Sequence, residues 1–187
     1  MRIIAGTAKG ARLGRVPPGT RPVSDRAREG LFASLGTRVE GARVLDLFAG
    51  TGALGIEAAS RGAAAVTFVD GSRRAVAAVR ANLEHVRIEA VTEVTAAEVR
   101  TFLRTPPSPE QAFDLVFCDP PYDAAIATLE ACLAGLADGW LAGGDWIVVV
   151  TRGHKGPQPG LPLHWAPWRQ LRYGDSLLTL YREVGWA

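Results

Sequence analysis

At 187 residues the chain has room for one domain with a full core and a short appendage, and too little for two ordinary domains. Its 48% hydrophobic and 21% charged residues exclude a disordered chain and suit a soluble globular one. Net charge is only +2, which by itself predicts no partner.

No apolar run approaches the roughly 18 to 20 residues of a membrane span, and Met1 leads into Arg2 and a strand-like segment, so no membrane partner and a cytoplasmic location are expected. Cys118 and Cys132 show neither CxxC nor paired-histidine spacing, which argues against a disulfide scaffold and a structural zinc. No metal is expected. The charge is uneven: residues 1–30 hold Arg2, Lys9, Arg12, Arg15, Arg21, Arg26 and Arg28 against Asp25 and Glu29, a local +5, leaving −3 on the remainder. A basic arm on a slightly acidic body suits a polyanion-binding appendage; the plainer reading is a solvated basic surface.

In chain order, RIIAG, KGARLG and the run VPPGTRP predict one or two short strands and a Pro/Gly-rich loop over residues 1–23. Ser24 or Asp25 can cap a helix with Ala27, Leu31, Phe32 and Leu35 on one face, ended by Gly36. Val44, Leu45 and Leu47 around Asp46 predict a strand, which gives way to Gly50, Gly52 and Gly55 and then a helix from Ile56 to Ser60. Ala65–Val69 is a second strand closed by Asp70 and Gly71. The following helix starts near Ser72, with Val76, Val79, Leu83 and Val86 at three- and four-residue spacing. A weaker unit follows: strand 90–95 and helix 97–104, then the loop TPPSP.

FDLVFC is a buried strand running into Asp119-Pro120-Pro121-Tyr122, and the next helix carries Ile126, Leu129, Leu133 and Leu136. Trp146–Val150 is a fifth strand, apolar as one buried on both faces of a parallel sheet would be. Residues 153–162 form a Gly/Pro loop, and segments 165–172 and 176–182 are strands joined by a Gly174-Asp175 hairpin turn. Strands alternating with single helices imply an α/β, doubly wound parallel sheet. Ligands bind beyond the carboxyl ends of such strands, so the glycine stretch and the DPPY stretch should share one cleft.

Gly50-Thr51-Gly52-Ala53-Leu54-Gly55 matches GxGxxG, with Asp70 twenty residues on, as a dinucleotide enzyme has it. Asp46 opposes that reading: a carboxylate so near the loop would repel a pyrophosphate and suits a cationic ligand such as S-adenosylmethionine. Asp46 then serves the methionine end and Asp70 the ribose, and the dinucleotide pattern is a coincidence. The plainer roles are a turn-capping carboxylate for Asp46 and a helix cap for Asp70. Glu98 can reach the adenine amine, or close a capping box with Thr95.

The two prolines of DPPY remove two N–H groups, leaving Asp119 and the Pro120 carbonyl as acceptors that suit an exocyclic NH₂, while Tyr122 can stack on a planar ring or pack in the core. An amino-methyltransferase needs such a turn and a dehydrogenase has no evident use for one. The amine's lone pair is delocalised into its ring; holding both N–H bonds favours a tetrahedral nitrogen aimed at the sulfonium methyl. The proton leaves through Asp119 or directly to water.

DLFAGTGALGIEA, DPPY, the amino-terminal RIIAG with RPVSDRAREGLF, and the terminal YGDSLLTLYR together resemble the RsmD family, bacterial methyltransferases acting on N2 of a guanine in small-subunit ribosomal RNA. The resemblance spans nearly the whole chain. It implies a class I methyltransferase fold, Rossmann-like, with a seven-stranded sheet whose last strand is antiparallel and a small N-terminal β-hairpin extension. Residues 1–23 would be the basic extension and 24–187 the methyltransferase domain.

The catalytic turn is then Asp119, Pro120, Pro121 and Tyr122. The S-adenosylmethionine site draws on Asp46, Phe48, Gly50, Thr51, Gly52, Asp70, Gly71, Glu98 and Ser24, and Arg2, Lys9, Arg12, Arg15 and Arg21 contact RNA. The expected partner is small-subunit ribosomal RNA in an assembled particle, and a monomer is expected. Many relatives read RPTTDRVRE, where this chain has Val23, Ser24 and Ala27, and Glu98 stands where Asp or Asn is commoner. The competing readings are a DNA adenine-N6 methyltransferase, an NAD-dependent oxidoreductase and a non-catalytic RNA-binding module.

Overall fold

The computed structural model describes residues 1–14, 23–88, 90–121 and 124–185. Five strands follow the apolar runs: β1 (Arg43–Leu47), β2 (Ala65–Asp70), β3 (Val91–Ala96), β4 (Leu115–Cys118) and β5 (Ile147–Gly153). They pair in parallel, and β6 (Trp165–Tyr173) and β7 (Ser176–Glu183) complete a seven-stranded sheet in the order β3-β2-β1-β4-β5-β7-β6. β7 lies antiparallel between β5 and β6. This is the class I methyltransferase arrangement. The β6–β7 hairpin turns at Gly174-Asp175, with Gly174 at φ +58.

Strand alternation assigns each face a core. Val44, Val66, Phe68, Leu115, Phe117, Ile147 and Val149 meet α1 (Asp25–Leu35), α2 (Ala53–Ser60) and α3 (Arg73–Val86). Leu45, Leu47, Val116, Cys118, Val148 and Val150 meet α4 (Val99–Phe102) and α5 (Ile126–Ala137). By the same two-residue period, Asp46, Asp70, Asp119 and Thr151 belong to the α1–α3 face, at or just beyond the strand ends.

Ser24 caps α1 by accepting from the Ala27 N–H at 3.2 Å, and Gly36 ends it at φ +58. The apolar stripe is as expected except that Arg28 joins it, fully buried. Its Nη2 donates to the Arg2 carbonyl at 2.6 Å and to Asp25 Oδ1 at 2.7 Å. Arg28 therefore belongs to the core, and the solvent-facing charge of the amino-terminal arm is smaller than the residue count implies.

Among its described residues the extension forms an antiparallel bridge between Arg2 and Arg12. Side chains of the body hold it in place. Buried Glu57 on α2 accepts from the Ile4 and Ala5 N–H groups at 2.8 and 3.1 Å, and Ser60 Oγ accepts from Ala8. Gly6, at φ +83, lies so close to Ser60 that a Cβ there would sit 1.7 Å from its carbonyl oxygen. Ile3 and Leu13 are buried in the core on this side. Two boundaries also differ. The helix expected over 97–104 shrinks to α4, and Thr95 lies inside β3, so the Thr95–Glu98 capping box does not form. Among the described residues, no helix is long and apolar enough to cross a membrane.

Candidate active site

The chain leaves β1 through Phe48, whose φ of +57 is rare for a bulky side chain. That left-handed turn swings the backbone into Gly50 (φ +59) and Gly52 (φ +76), and hydrogen bonds fix the loop. The Ala49 N–H donates to the Val69 carbonyl at 3.2 Å, the Gly52 N–H to the Ala49 carbonyl at 2.7 Å, and the Gly50 N–H to Asp70 Oδ2 at 2.9 Å. Asp70 also accepts from the Ser72 N–H at 2.8 Å, while Ser72 itself caps α3. Gly71, beyond it, packs beside the backbone of Glu98.

The third glycine of the motif is not incidental. A Cβ on Gly55 would sit 2.4 Å from Phe68 Cε1 and 2.9 Å from Val66 Cγ1, and the Gly55 N–H donates to Asp46 Oδ2 at 2.9 Å. The spacing is thus a packing requirement of a strand, turn and helix pressed together, which explains the match to a dinucleotide pattern without a dinucleotide.

Asp46 is buried, and burial pushes its carboxyl well above the usual range, with Asp119 and Asp70 adding to the push and the Gly55 N–H opposing it. Three carboxylates therefore act on one small pocket, lined by Val23, Asp46, Phe48, Gly50, Thr51 and Asp119 among others. Among the described residues no lysine or arginine lines it. A pyrophosphate would meet repulsion here, whereas a ligand with an ammonium and a sulfonium meets complementary charge. Among the described residues no group of three or more histidine, cysteine, aspartate or glutamate side chains is placed to hold a metal ion.

Glu98 is the N-cap of α4, accepting from the Arg100 and Thr101 N–H groups at 3.0 and 2.8 Å. Those hydrogen bonds outweigh its desolvation and hold its carboxyl below the usual range. Ser24 is committed to its own cap, but Val23 beside it reaches the pocket.

Asp119, half-buried, follows β4 and closes the pocket from the other side. Burial pushes its carboxyl up to about 7, against a hydrogen bond from the Thr151 side chain. The register pairing Cys118 with Val150 sets Asp119 and Thr151 side by side on adjacent strands. Beyond Asp119 opens a second, larger cavity of about 460 Å³. Pro120, Pro121, Ile126 and Leu129 line one wall, and residues 151–157 with Asp175 line the other. Tyr122, Arg15 and Arg21 lie outside the described residues.

Arg2, Lys9 and Arg12 are exposed on the docked extension. Arg2 and Lys9 border a groove of about 500 Å³ that also takes in Asp25, Arg26 and Glu29 at the start of α1, and Arg2 Nε lies 4.0 Å from Asp25.

Several participants have no motif. Asn82, buried on α3, donates to the Thr51 carbonyl at 2.9 Å and accepts from the Gly14 N–H at 2.8 Å, tying the glycine loop to the extension. Thr151, Arg152, His154 and Lys155 come from the end of β5 and a Gly/Pro loop, where no periodicity marks them. A hint is the polar sequence Thr151-Arg152 directly after an apolar strand.

Residues 1–182 match the family model described as Conserved hypothetical protein 95. The chain is 36% identical over 186 residues to ribosomal RNA small subunit methyltransferase D of Escherichia coli (strain K12), covering 98% of this chain and 90% of that protein. The chain belongs to the RsmD family.

Another match, to the solved structure of a methyltransferase described as yhhF from Escherichia coli, has a TM-score of 0.84 at 34% identity over 98% of this chain and 97% of that one. A partial likeness, 34% over 109 residues (57% of this chain, 19% of the relative), is to tRNA (guanine(26)-N(2))-dimethyltransferase of Drosophila melanogaster. The cofactor of this RsmD-family protein is S-adenosylmethionine, which the charge of the glycine-loop pocket fits.

Proposed function

We propose that the protein transfers a methyl group to the exocyclic N2 amine of a guanine in small-subunit ribosomal RNA, with the assembled particle as its substrate. The carrying observation is that consecutive residues line two cavities, Asp119 a pocket on the glycine-loop side that also holds Asp46, and Pro120 a cavity of about 460 Å³ on the β5 side. Bound S-adenosylmethionine supplies an electrophilic methyl on a sulfonium. Asp46 would hold its charged methionine end and Asp70 its ribose hydroxyls.

Asp119 and the Pro120 carbonyl accept the two N–H bonds of the incoming amine. Pro120 and Pro121 carry no N–H to compete for those acceptors. Both acceptors pull the nitrogen toward tetrahedral geometry and fix its distance to the methyl, an alignment effect that supplies several kcal/mol. Asp119 accepts one of those N–H bonds and, when ionised, takes the amine proton as the N–C bond forms. A base inside a helix cannot reach this turn, so the target nucleotide enters flipped out. The exposed Arg2, Lys9 and Arg12, with Arg15 and Arg21, contact phosphates and set orientation without reading sequence.

The named activity of the Escherichia coli relative supports the ribosomal substrate, and that of the Drosophila relative supports guanine N2. Transfer of labelled methyl from S-adenosylmethionine tests the reading. Wild type should label small-subunit particles, and Asp119→Ala should abolish labelling while binding particles with unchanged affinity. A wild type that binds particles and transfers nothing would leave a binding module instead.

A further inference from the structure

The wall of the large cavity opposite the DPP turn is rich in donors. Arg152 near the end of β5 and His154 and Lys155 just beyond it supply them, while Pro120, whose carbonyl is an acceptor, lines the facing wall next to Asp119. Two of the three cationic or donor side chains are already committed. Arg152 Nη1 donates to the Gly156 carbonyl at 2.7 Å and the Pro157 carbonyl at 3.2 Å, folding the loop back on itself. His154 is held against the β6–β7 turn, its backbone N–H donating to the Asp175 carbonyl at 2.9 Å and its Nδ1 3.4 Å from the same oxygen. The loop's far end is anchored to α5, where the Gly160 N–H donates to Glu130 Oε1 at 2.8 Å. Lys155, exposed on this braced loop, is a cavity-lining cation without such a commitment among the described residues.

We propose that Lys155 is the specificity-determining donor of the acceptor pocket, reading the carbonyl oxygen and ring nitrogen on the far edge of a 6-oxopurine whose 2-amino group is held at Asp119 and Pro120. The proposal rests on the reading of this cavity as the acceptor site. A guanine entering amine-first presents O6 and N7, both acceptors, toward the opposite side. Adenine puts an NH₂ donor at position 6, which an ammonium cannot satisfy, so the same lysine excludes it. A point-charge donor on a flexible stem suits two adjacent acceptors, and the braced loop limits how far that stem must search.

The test compares wild type and Lys155→Met, both loaded with S-adenosylhomocysteine, by NMR titration with GMP and with 2-aminopurine riboside 5′-monophosphate, which keeps the 2-amino group and lacks O6. Wild type should bind GMP about tenfold or more tightly than the analogue. In Lys155→Met the GMP affinity should fall further than that of the analogue, which keeps N7 and loses only that contact, so that discrimination collapses, and Lys155→Arg should restore it. Unchanged affinity for S-adenosylhomocysteine shows that the variants are folded.

Undiminished discrimination in Lys155→Met would overturn the proposal. So would an equal loss for both ligands, which would mark a phosphate contact, or no binding of GMP to wild type at about 10 mM. Methylation of particles by wild type is scored separately. Its absence would sink the functional reading itself, whereas transfer with unaltered discrimination would sink only the role of Lys155.

Discussion

Acidification below neutrality should silence methyl transfer through Asp119 while leaving the fold intact. With its carboxyl at about 7, about one tenth of the free protein carries ionised Asp119 at pH 6 and about nine tenths at pH 8. Since only the carboxylate can take the amine's proton, kcat/KM should rise about tenfold across that interval. Bound cofactor brings a positive sulfonium near Asp119 and favours the carboxylate, so the acid limb of kcat should lie at lower pH than that of kcat/KM.

Thr151→Val removes the hydrogen bond that opposes the upward shift, and should move the limb to higher pH; Thr151→Ser should restore it. Asp119→Asn should lower kcat/KM by about 100-fold or more and erase the limb. Stability should move the opposite way. A carboxyl raised in the folded state stays protonated there while the unfolded chain releases its proton, so stability declines from about pH 4 up to about pH 7. Asp119→Asn removes part of that decline, and buried Asp46, raised for the same reason, supplies another part. Single-turnover transfer to particles between pH 5.5 and 8.5, with denaturant melts at the same pH values, measures both trends. A kcat/KM flat from pH 6 to 8, or a limb that persists in Asp119→Asn, would refute the role given to Asp119.

Three further outcomes are expected. Gly55→Ala forces a methyl against Phe68 and Val66, costing about 1–3 kcal/mol of stability in denaturant melts and weakening S-adenosylhomocysteine binding through the displaced loop; a neutral substitution would contradict the packing role of the glycine. Asn82→Ala leaves the Thr51 carbonyl and the Gly14 N–H without their partner, costing about 1–3 kcal/mol and raising amide exchange in residues 1–14 and in the glycine loop together; exchange confined to one of them would show they are not coupled through this side chain. Lys9→Ala with Arg12→Ala should weaken particle binding at low salt and reduce the slope of log affinity against log salt by about one to two; an unchanged slope would remove these residues from the RNA contact.

The strands of the sheet were legible because burial on both faces demands unbroken apolar runs, as in residues 44–47 and 147–150. The hairpin was legible because Gly174 supplies the positive φ its turn needs. β5 runs on through Thr151, Arg152 and Gly153 because antiparallel β7 pairs with them, a long-range partner that local hydrophobicity does not announce. For the same reason the wall of the larger cavity was invisible: the neighbourhood of Thr151 and Asp119 is set by the β4–β5 register, across more than thirty residues of sequence.

Arg28 shows a signal present and overridden. Positions 28, 31, 32 and 35 share the buried face at helical spacing, and only the assumption that an arginine seeks water placed it outside. Asp46 and the DPP turn were readable because their chemistry is local to a motif. Asn82 was not, since an asparagine on a helix signals nothing until both of its partners are brought to it.

The most direct test of the account is nucleoside analysis of small-subunit ribosomal RNA from cells lacking the gene, before and after treating their isolated particles with the purified protein and S-adenosylmethionine. The account predicts that one N2-methylguanosine is missing from the untreated particles and restored by wild type but not by Asp119→Ala. Restoration of N6-methyladenosine instead, or no missing methylated nucleoside at all, would contradict it.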